Sequence, residues 1–254
     1  MKLKPITKTQ KQIIFFLFKF RFLTVNQLQK YFNHKDSHRI KEWLKDLKDK
    51  KYIAAVVDSR DITKPFVYCL SGGARSILKE DEKCDESFLN RLYKEKNLTE
   101  IFRNHCLNIL DIYLFFLSQK EKDTKLHFLT PQELTGCDYL PEDLDAYIAV
   151  EGKNDTSRYF LEVFDEYKKS AGQGRFAVRK YIKFCEDGAW QANTDNSPFP
   201  SILFVQPDER RKKHIFHYGK AKLEKTFEDI SLFQTTMDTI KFSKGKTNIW
   251  QKIE

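Results

Sequence analysis

The sequence predicts an α+β protein built from two domains, on the basis of three observations. A chain of 254 residues is longer than most single domains. Its excess positive charge is N-terminal, because residues 1–80 carry a net charge of +11 and the remainder carries −2. Helical periodicity dominates the first part, whereas short apolar strands alternate with amphipathic helices in the second. We therefore predict a cationic domain over residues 1–80, a linker or connecting helix over 81–97 and a mixed α/β domain over 98–254.

The composition is typical of a globular protein in a reducing compartment. Hydrophobic residues make up 41% of the chain and charged residues 32%. Apolar runs such as "IIFFLF" and "LFFL" are too short to span a bilayer, and no cleavable signal pattern follows the first. The five cysteines form no C-x-x-C pair, which argues against a zinc knuckle and a disulfide framework. We expect a cytoplasmic protein with reduced thiols and no membrane partner.

Two helices are predicted at the start of the first domain. The first lies in "ITKTQKQIIFFLFKF", with Thr7 or Thr9 as its N-cap. The second lies in "LTVNQLQKYFN", with Thr24 as its N-cap. Both have apolar residues at helical spacing, which indicates that one face of each is buried.

A third helix, in "DSHRIKEWLKDLKDKKYI", has the strongest amphipathic pattern. Ile40, Trp43, Leu44 and Leu47 follow the i, i+3, i+4, i+7 spacing, so we expect all four to be buried. Asp36 or Ser37 can cap the helix. A helix with a basic outer face can lie in the major groove of DNA. The residues predicted on that face are His38, Arg39, Lys41, Lys45 and Lys48.

A strand hairpin follows the third helix. "YIAAVV" and "FVYCL" are predicted strands, and the segment that joins them, "DSRDITKP", carries Arg60 and Lys64. Three helices followed by such a hairpin are the element order of a winged helix-turn-helix. Together with the local charge, this order predicts binding to double-stranded DNA. The alternatives are a basic face that is merely solvated and a winged helix that serves as a protein-docking adaptor.

Two acidic residues on a predicted hairpin form the candidate catalytic and metal-binding pair. Asp145 lies in "DLDAYIAV" and Glu162 in "RYFLEVF". If Val150 pairs with Ser157, the two carboxylates are opposed on the same face of the hairpin; a slip of one residue separates them. Two adjacent carboxylates can bind Mg²⁺ together with water and phosphate oxygens. The sequence alone leaves both registers open.

Three stretches resemble, in order, the replication-relaxation family of plasmid and mobile-element proteins. They are "TKTQKQIIFFLFKFRFLTVNQLQKYF", "VYCLSGGARSIL" and "NHCLNILDIYLFFL", within residues 7–190. The resemblance implies a winged helix, then a helix that begins near a histidine, here His105, and then a restriction-endonuclease-like domain. It also implies a role in plasmid replication, DNA relaxation or its regulation, with replication or relaxation proteins of the same element as partners. The oligomeric state remains open.

The resemblance also makes one departure visible. Restriction-endonuclease-like enzymes typically pair an Asp with Glu-x-Lys, but the residue two positions after Glu162 is Phe164. Lys180 or Arg175, on the next predicted helix, could supply the missing cation. We therefore expect a nuclease-like domain that does not cut, with a metal-dependent DNA endonuclease as the alternative. On the second hypothesis the catalytic residues are Asp145, Glu162 and Lys180, and Mg²⁺ is the cofactor.

Overall fold

The computed structural model describes residues 5–57, 61, 63–79, 84, 86–137, 139–168, 170–243 and 248–254. The chain divides into two compact units, Met1–Leu110 and Asp111–Glu254. The boundary between them falls inside a long helix, Glu100–Gln119. This division differs from the predicted one, because the expected connector over residues 81–97 and the start of the long helix belong to the first unit.

The first unit combines helices with a small antiparallel sheet. Within the described residues this sheet has three strands in the order β1-β3-β2. The strand β1 was not predicted, because a strand of three residues is too short to show an alternating pattern. Short 3₁₀ helices cover Gly72–Ala74 and Leu92–Asn97. The remaining elements are α1 (Lys8–Phe20), β1 (Phe22–Thr24), α2 (Val25–Tyr31), α3 (His38–Asp49), β2 (Ile53–Val56), β3 (Val67–Leu70), α4 (Arg75–Leu78), α5 (Glu86–Arg91) and α6 (Glu100–Gln119).

Capping boxes begin the first two helices. The Thr7 hydroxyl accepts a hydrogen bond from the backbone N–H of Gln10, and the Gln10 side chain accepts one from the N–H of Thr7. Thr24 and Gln27 make the same reciprocal pair at the start of α2. Each box satisfies two backbone donors that an uncapped helix would leave without partners. The predicted caps Thr7 and Thr24 are confirmed.

The apolar stripe of α3 is buried, with one exception. Ile40, Leu44 and Leu47 are fully buried, but Trp43 is only half-buried. The indole lies at the margin of the stripe, where its ring contacts Phe32 and His34 edge-on at 5.6 Å between centroids. Trp43 is therefore partly buried, less completely than the other three residues of the stripe.

The second unit is a mixed α/β structure, as predicted. Its sheet has six strands within the described residues, in the order β4-β5-β6-β7-β8-β9. β6, β7 and β8 are parallel, and the other neighbouring pairs are antiparallel. The elements are β4 (Lys125–Leu129), β5 (Ala146–Glu151), β6 (Thr156–Val163), α7 (Ala171–Glu186), α8 (Ala189–Asn193), β7 (Ser201–Gln206), α9 (Glu209–Leu223), β8 (Leu232–Thr236), α10 (Met237–Phe242) and β9 (Gln251–Lys252).

An apolar core joins one face of this sheet to the helices α7 and α9. A parallel strand needs a crossover connection, and α7 and α9 lie in the two crossovers of β6-β7 and β7-β8. Gly174 allows the two helices to approach closely, since a Cβ at this position would lie 2.6 Å from the Ile215 Cδ1. The core residues include Phe160, Phe164, Val178, Tyr181, Ile202, Phe204, Ile215 and Leu232.

The register of the β5-β6 hairpin is the one that opposes the two acids. Val150 pairs with Ser157, and the ladder ends with Ala146 opposite Leu161. One step further, the Asp145 N–H donates to the Leu161 carbonyl at 3.2 Å. Asp145 therefore lies opposite Glu162, on the face that Phe160 turns toward α7.

Three further observations concern His105, the cysteines and the capacity of the helices to cross a membrane. His105 is buried inside α6, five residues after the helix begins. None of the five cysteines forms a disulfide with another in the part of the chain that the structure describes. Among the described residues, no helix combines the length and the apolar character needed to cross a bilayer.

Candidate active site

Two buried carboxylates form the centre of the site. Asp145 immediately precedes β5 and is 5% exposed; Glu162 is the penultimate residue of β6 and is 2% exposed. Directly opposed residues of an antiparallel pair have their Cβ atoms about 4.5–5.5 Å apart. The hairpin therefore brings together two acidic side chains that the sequence separates by 17 positions.

The first cation at the site is Lys180, from the middle of α7. Its ammonium forms an ion pair with Glu162 Oε1 and donates to the Glu142 carbonyl at 2.9 Å. The helix that carries Lys180 begins with a capping box between Ser170 and Gln173. Lys180 therefore contacts Glu162, beside which a Glu-x-Lys motif would place its lysine, but it does so from α7.

Phe164 has an unrelated role in the structure. It is 4% exposed and packs in the core against Phe204, with 5.7 Å between the ring centroids. Arg175, the other predicted source of a cation, is exposed on α7. Of the two candidates on α7, Lys180 is therefore the one that the structure places on Glu162.

Lys168 is a second cation, which the sequence analysis did not assign to the site. Its ammonium donates to Asp145 Oδ1 and Oδ2 at 2.9 Å each and to Glu162 Oε2 at 2.8 Å. A fourth contact, at 3.2 Å, is to the Asp143 carbonyl. Lys168 lies in the turn between β6 and α7, with only 15% of its side chain exposed. It therefore bridges the two carboxylates from a position outside any regular element.

The surroundings of Lys168 favour its charged form. Burial by itself lowers the pKa of a lysine, but the charges of Asp145 and Glu162 and the hydrogen bonds to both act in the opposite direction. The net effect is a pKa raised above the ordinary lysine value. Lys168 is consequently an ammonium at any physiological pH.

Neutral donors fix the orientation of each carboxylate. The Tyr181 hydroxyl donates to Glu162 Oε1 at 2.9 Å, and the Val163 N–H donates to Asp145 Oδ2 at 2.7 Å. Burial, followed by the charge of Glu162, raises the pKa of Tyr181 well above its ordinary value. Tyr181 therefore remains a hydrogen-bond donor at neutral pH. Buried charges need partners of this kind, because an unpaired carboxylate away from water is strongly unfavourable.

The donor set fits a hard divalent cation such as Mg²⁺. Asp145 and Glu162 offer oxygen ligands, and Mg²⁺ commonly binds one or two carboxylates and retains several waters. In the part of the chain that the structure describes, no group of three or more His, Cys, Asp or Glu side chains is arranged to hold a metal ion, so the pair would bind it together with water. Lys168 places a positive charge against the same oxygens, which shows that this position favours a cation.

The basic residues predicted to bind DNA lie in the first unit. His38, Arg39, Lys41, Lys45 and Lys48 are exposed on α3. Arg39 forms an ion pair with Glu42 at 3.2 Å, and Lys64 forms one with Glu100 at 2.8 Å. Arg60 lies outside the described residues. The exposed side of α3 is therefore basic, as the sequence predicted.

Comparisons with known proteins add little to this geometry. No family model matches the chain, and no curated protein matches it. Among solved structures, the chain is similar to restriction endonuclease FokI with 13% sequence identity and a TM-score of 0.36. The match covers 94% of this chain and 45% of the FokI chain, so the protein spans less than half of that enzyme's length. A TM-score this low does not establish a shared fold, and the resemblance to the replication-relaxation family remains a prediction.

Proposed function

We propose that the protein binds double-stranded DNA through its first unit and cleaves DNA through a metal-dependent, restriction-endonuclease-like site in its second. The observation that carries the proposal is the convergence of Asp145, Glu162 and Lys180. Two opposed carboxylates and a lysine on the glutamate are the groups expected at such a site, although the lysine here comes from α7. The main argument against nuclease activity was that position 164 is a phenylalanine and not a lysine. Lys180 brings a lysine to Glu162 from a different position.

Each group has a distinct task in phosphodiester hydrolysis. Asp145 and Glu162 would hold the divalent cation, which supplies a Lewis acid for the phosphate and an activated water when it is bound. The Lys180 ammonium can offset negative charge that develops on the phosphate in the transition state. Tyr181 and the Val163 N–H hold the carboxylates in place, so little reorganisation is needed during the reaction.

The first unit supports the DNA-binding part of the proposal. Three helices followed by β2 and β3, with β1 paired to β3, are the element order of a winged helix. In such a domain α3 would be the recognition helix, and its exposed basic side would face the DNA. Lys64 and Arg60, in the segment between β2 and β3, would contact phosphates from the wing.

A non-cutting scaffold is the second candidate function, and Lys168 is the observation that favours it. With two carboxylates and two ammonium groups in contact, the cluster is electrically balanced without a metal ion. A protein that only binds DNA could keep such a cluster as a structural ion-pair network. Plasmid replication or relaxation, and partner proteins from the same element, are processes and partners that the family resemblance implies for either candidate.

Cleavage of supercoiled plasmid DNA distinguishes the two candidates. The wild-type chain should convert supercoiled DNA to nicked or linear DNA with Mg²⁺ or Mn²⁺ and should not do so in EDTA. Glu162→Gln should abolish this conversion. The matched control is Glu166→Gln, which removes an exposed acid from the following turn and should leave cleavage unchanged. Wild-type protein that binds DNA but does not cut it with either metal would support the scaffold instead.

A further inference from the structure

We propose that the Lys168 ammonium occupies the position between Asp145 and Glu162 where a divalent cation would bind. Lys168 must move out of this position before the metal ion binds. This inference rests on the proposed metal-dependent function. It adds to the site a competing lysine that the Asp, Glu and Lys pattern does not contain. It also connects the two candidate functions. The protein cannot bind a metal ion while Lys168 contacts both carboxylates, and it can bind one after Lys168 has moved away.

The contacts of Lys168 define the overlap with a metal ion. Its Nζ lies 2.8 to 2.9 Å from three carboxylate oxygens, two on Asp145 and one on Glu162. Mg²⁺ binds such oxygens at about 2.0–2.1 Å, so an ion that bridges the two carboxylates would lie in the same small space. A doubly charged ion and an ammonium this close repel each other strongly where water is scarce. Occupancy by one therefore excludes the other.

The two lysines differ in how firmly the chain holds them. Lys180 lies in the middle of α7, and the oxygen it contacts, Glu162 Oε1, is also held by Tyr181. Lys168 lies in the turn that leaves β6, next to Glu166 and Tyr167, which are exposed. Because this turn belongs to no helix or strand, its backbone can move together with the side chain without breaking helical or strand hydrogen bonds, which the backbone at Lys180 cannot. Lys168 is therefore the cation that can yield to a metal, and Lys180 is the one that stays.

Metal affinity of the full-length chain tests the exclusion directly. Mn²⁺ binding is measured by calorimetry for the wild type and for Lys168→Met, which keeps the aliphatic stem and removes the charge. Affinity should rise roughly tenfold or more in the variant, the effect of removing one competing charge-assisted contact. The control is Lys183→Met on the exposed side of α7, whose affinity should match the wild type. Equal or weaker Mn²⁺ binding by Lys168→Met would overturn the inference.

A second measurement uses the unaltered protein and does not depend on the variant folding. An amine-acylating reagent is applied with and without saturating Mn²⁺, and modification of each lysine is quantified by mass spectrometry. Modification of Lys168 should increase several-fold with Mn²⁺, because the metal displaces its ammonium from the carboxylates, while Lys183 should not change. Equal modification of Lys168 in both conditions would overturn the inference.

The two proposals fail in different ways. Tighter Mn²⁺ binding by Lys168→Met without DNA cleavage by either protein would refute the nuclease and leave the role of Lys168 intact. Cleavage by the wild type with no gain in Mn²⁺ affinity for the variant would refute the role of Lys168 and leave the nuclease intact.

Discussion

At the scale of single residues, the cations that contact Glu162 come from outside its own strand. The position two after Glu162 belongs to the core, where Phe164 packs on Phe204. A lysine there would have to bury its charge in that apolar cluster. Lys180 and Lys168 instead reach Glu162 from α7 and from the preceding turn, and their ammonium groups balance the two buried carboxylates.

The first prediction concerns the stability of this ion-pair cluster. Glu162→Gln should lower the free energy of unfolding of the metal-free protein by about 3 kcal/mol, because it leaves partly buried ammonium groups without their main partner. Glu166→Gln, on the exposed turn, should change it by no more than about 0.5 kcal/mol. Urea denaturation of the two variants measures the difference. Equal stability of both would show that the cluster contributes little to the fold.

At the scale of elements, the sequence predicted those features that depend on local pattern. The caps of α1 and α2, the strands β2, β3, β5 and β6 and the helix α7 follow from capping residues and from apolar periodicity. The elements β8, α10 and β9 were not predicted. Gln234, Thr235 and Thr236 give β8 a polar composition, although all three are buried, so its sequence lacks the apolar signal of an interior strand.

The candidate site was predictable only in part, for physical reasons. The sequence allowed two registers for the β5-β6 hairpin. The observed register packs Tyr147 and Phe160 against α7 and Trp190, and these aromatic contacts favour it. Lys168 was missed because it lies in a turn, where no periodicity fixes the direction of a side chain. One signal for it was available: two buried carboxylates need more counter-charge than Lys180 alone supplies.

The second prediction tests a close approach within the first unit. A Cβ on Gly73 would lie 2.3 Å from the Lys51 backbone oxygen, so Gly73→Ala forces the backbone to move. We expect a loss of about 1–3 kcal/mol in the free energy of unfolding. Gly72→Ala is the matched control, since no atom lies within 4 Å of its added Cβ. Thermal denaturation of both variants checks the prediction, and equal melting temperatures would contradict the packing around the Gly72–Ala74 helix.

At the scale of the whole molecule, charge and candidate chemistry are divided between the units. The net charge of +11 over residues 1–80 lies in the first unit, whereas the carboxylate pair and its two lysines lie in the second. A cationic surface attracts the DNA backbone without regard to sequence, and hydrogen bonds to base edges add specificity. We therefore expect mutations in the first unit to change DNA affinity, and mutations at the carboxylate pair to change cleavage.

The third prediction places DNA binding on α3. Arg39→Ala and Lys45→Ala should each weaken binding of the full-length protein to duplex DNA. If the side chain contacts a phosphate, the slope of log affinity against log salt should fall by about 1. Lys122→Ala, an exposed change in the second unit, should leave both quantities unaltered. Fluorescence anisotropy over a series of salt concentrations provides the measurement. A larger effect of Lys122→Ala than of the α3 variants would place the DNA surface elsewhere.

The most direct test of the central claim is the effect of Lys180→Met on metal-dependent cleavage of supercoiled DNA, compared with Lys183→Met from the same helix. If Lys180 supplies the cation that position 164 lacks, its loss should slow cleavage by about 10²-fold or more, as when a group that stabilises transition-state charge is removed. Lys183→Met should cleave at the wild-type rate. Equal cleavage rates for the two variants, with DNA binding intact in both, would contradict the assignment of Lys180 to the active site.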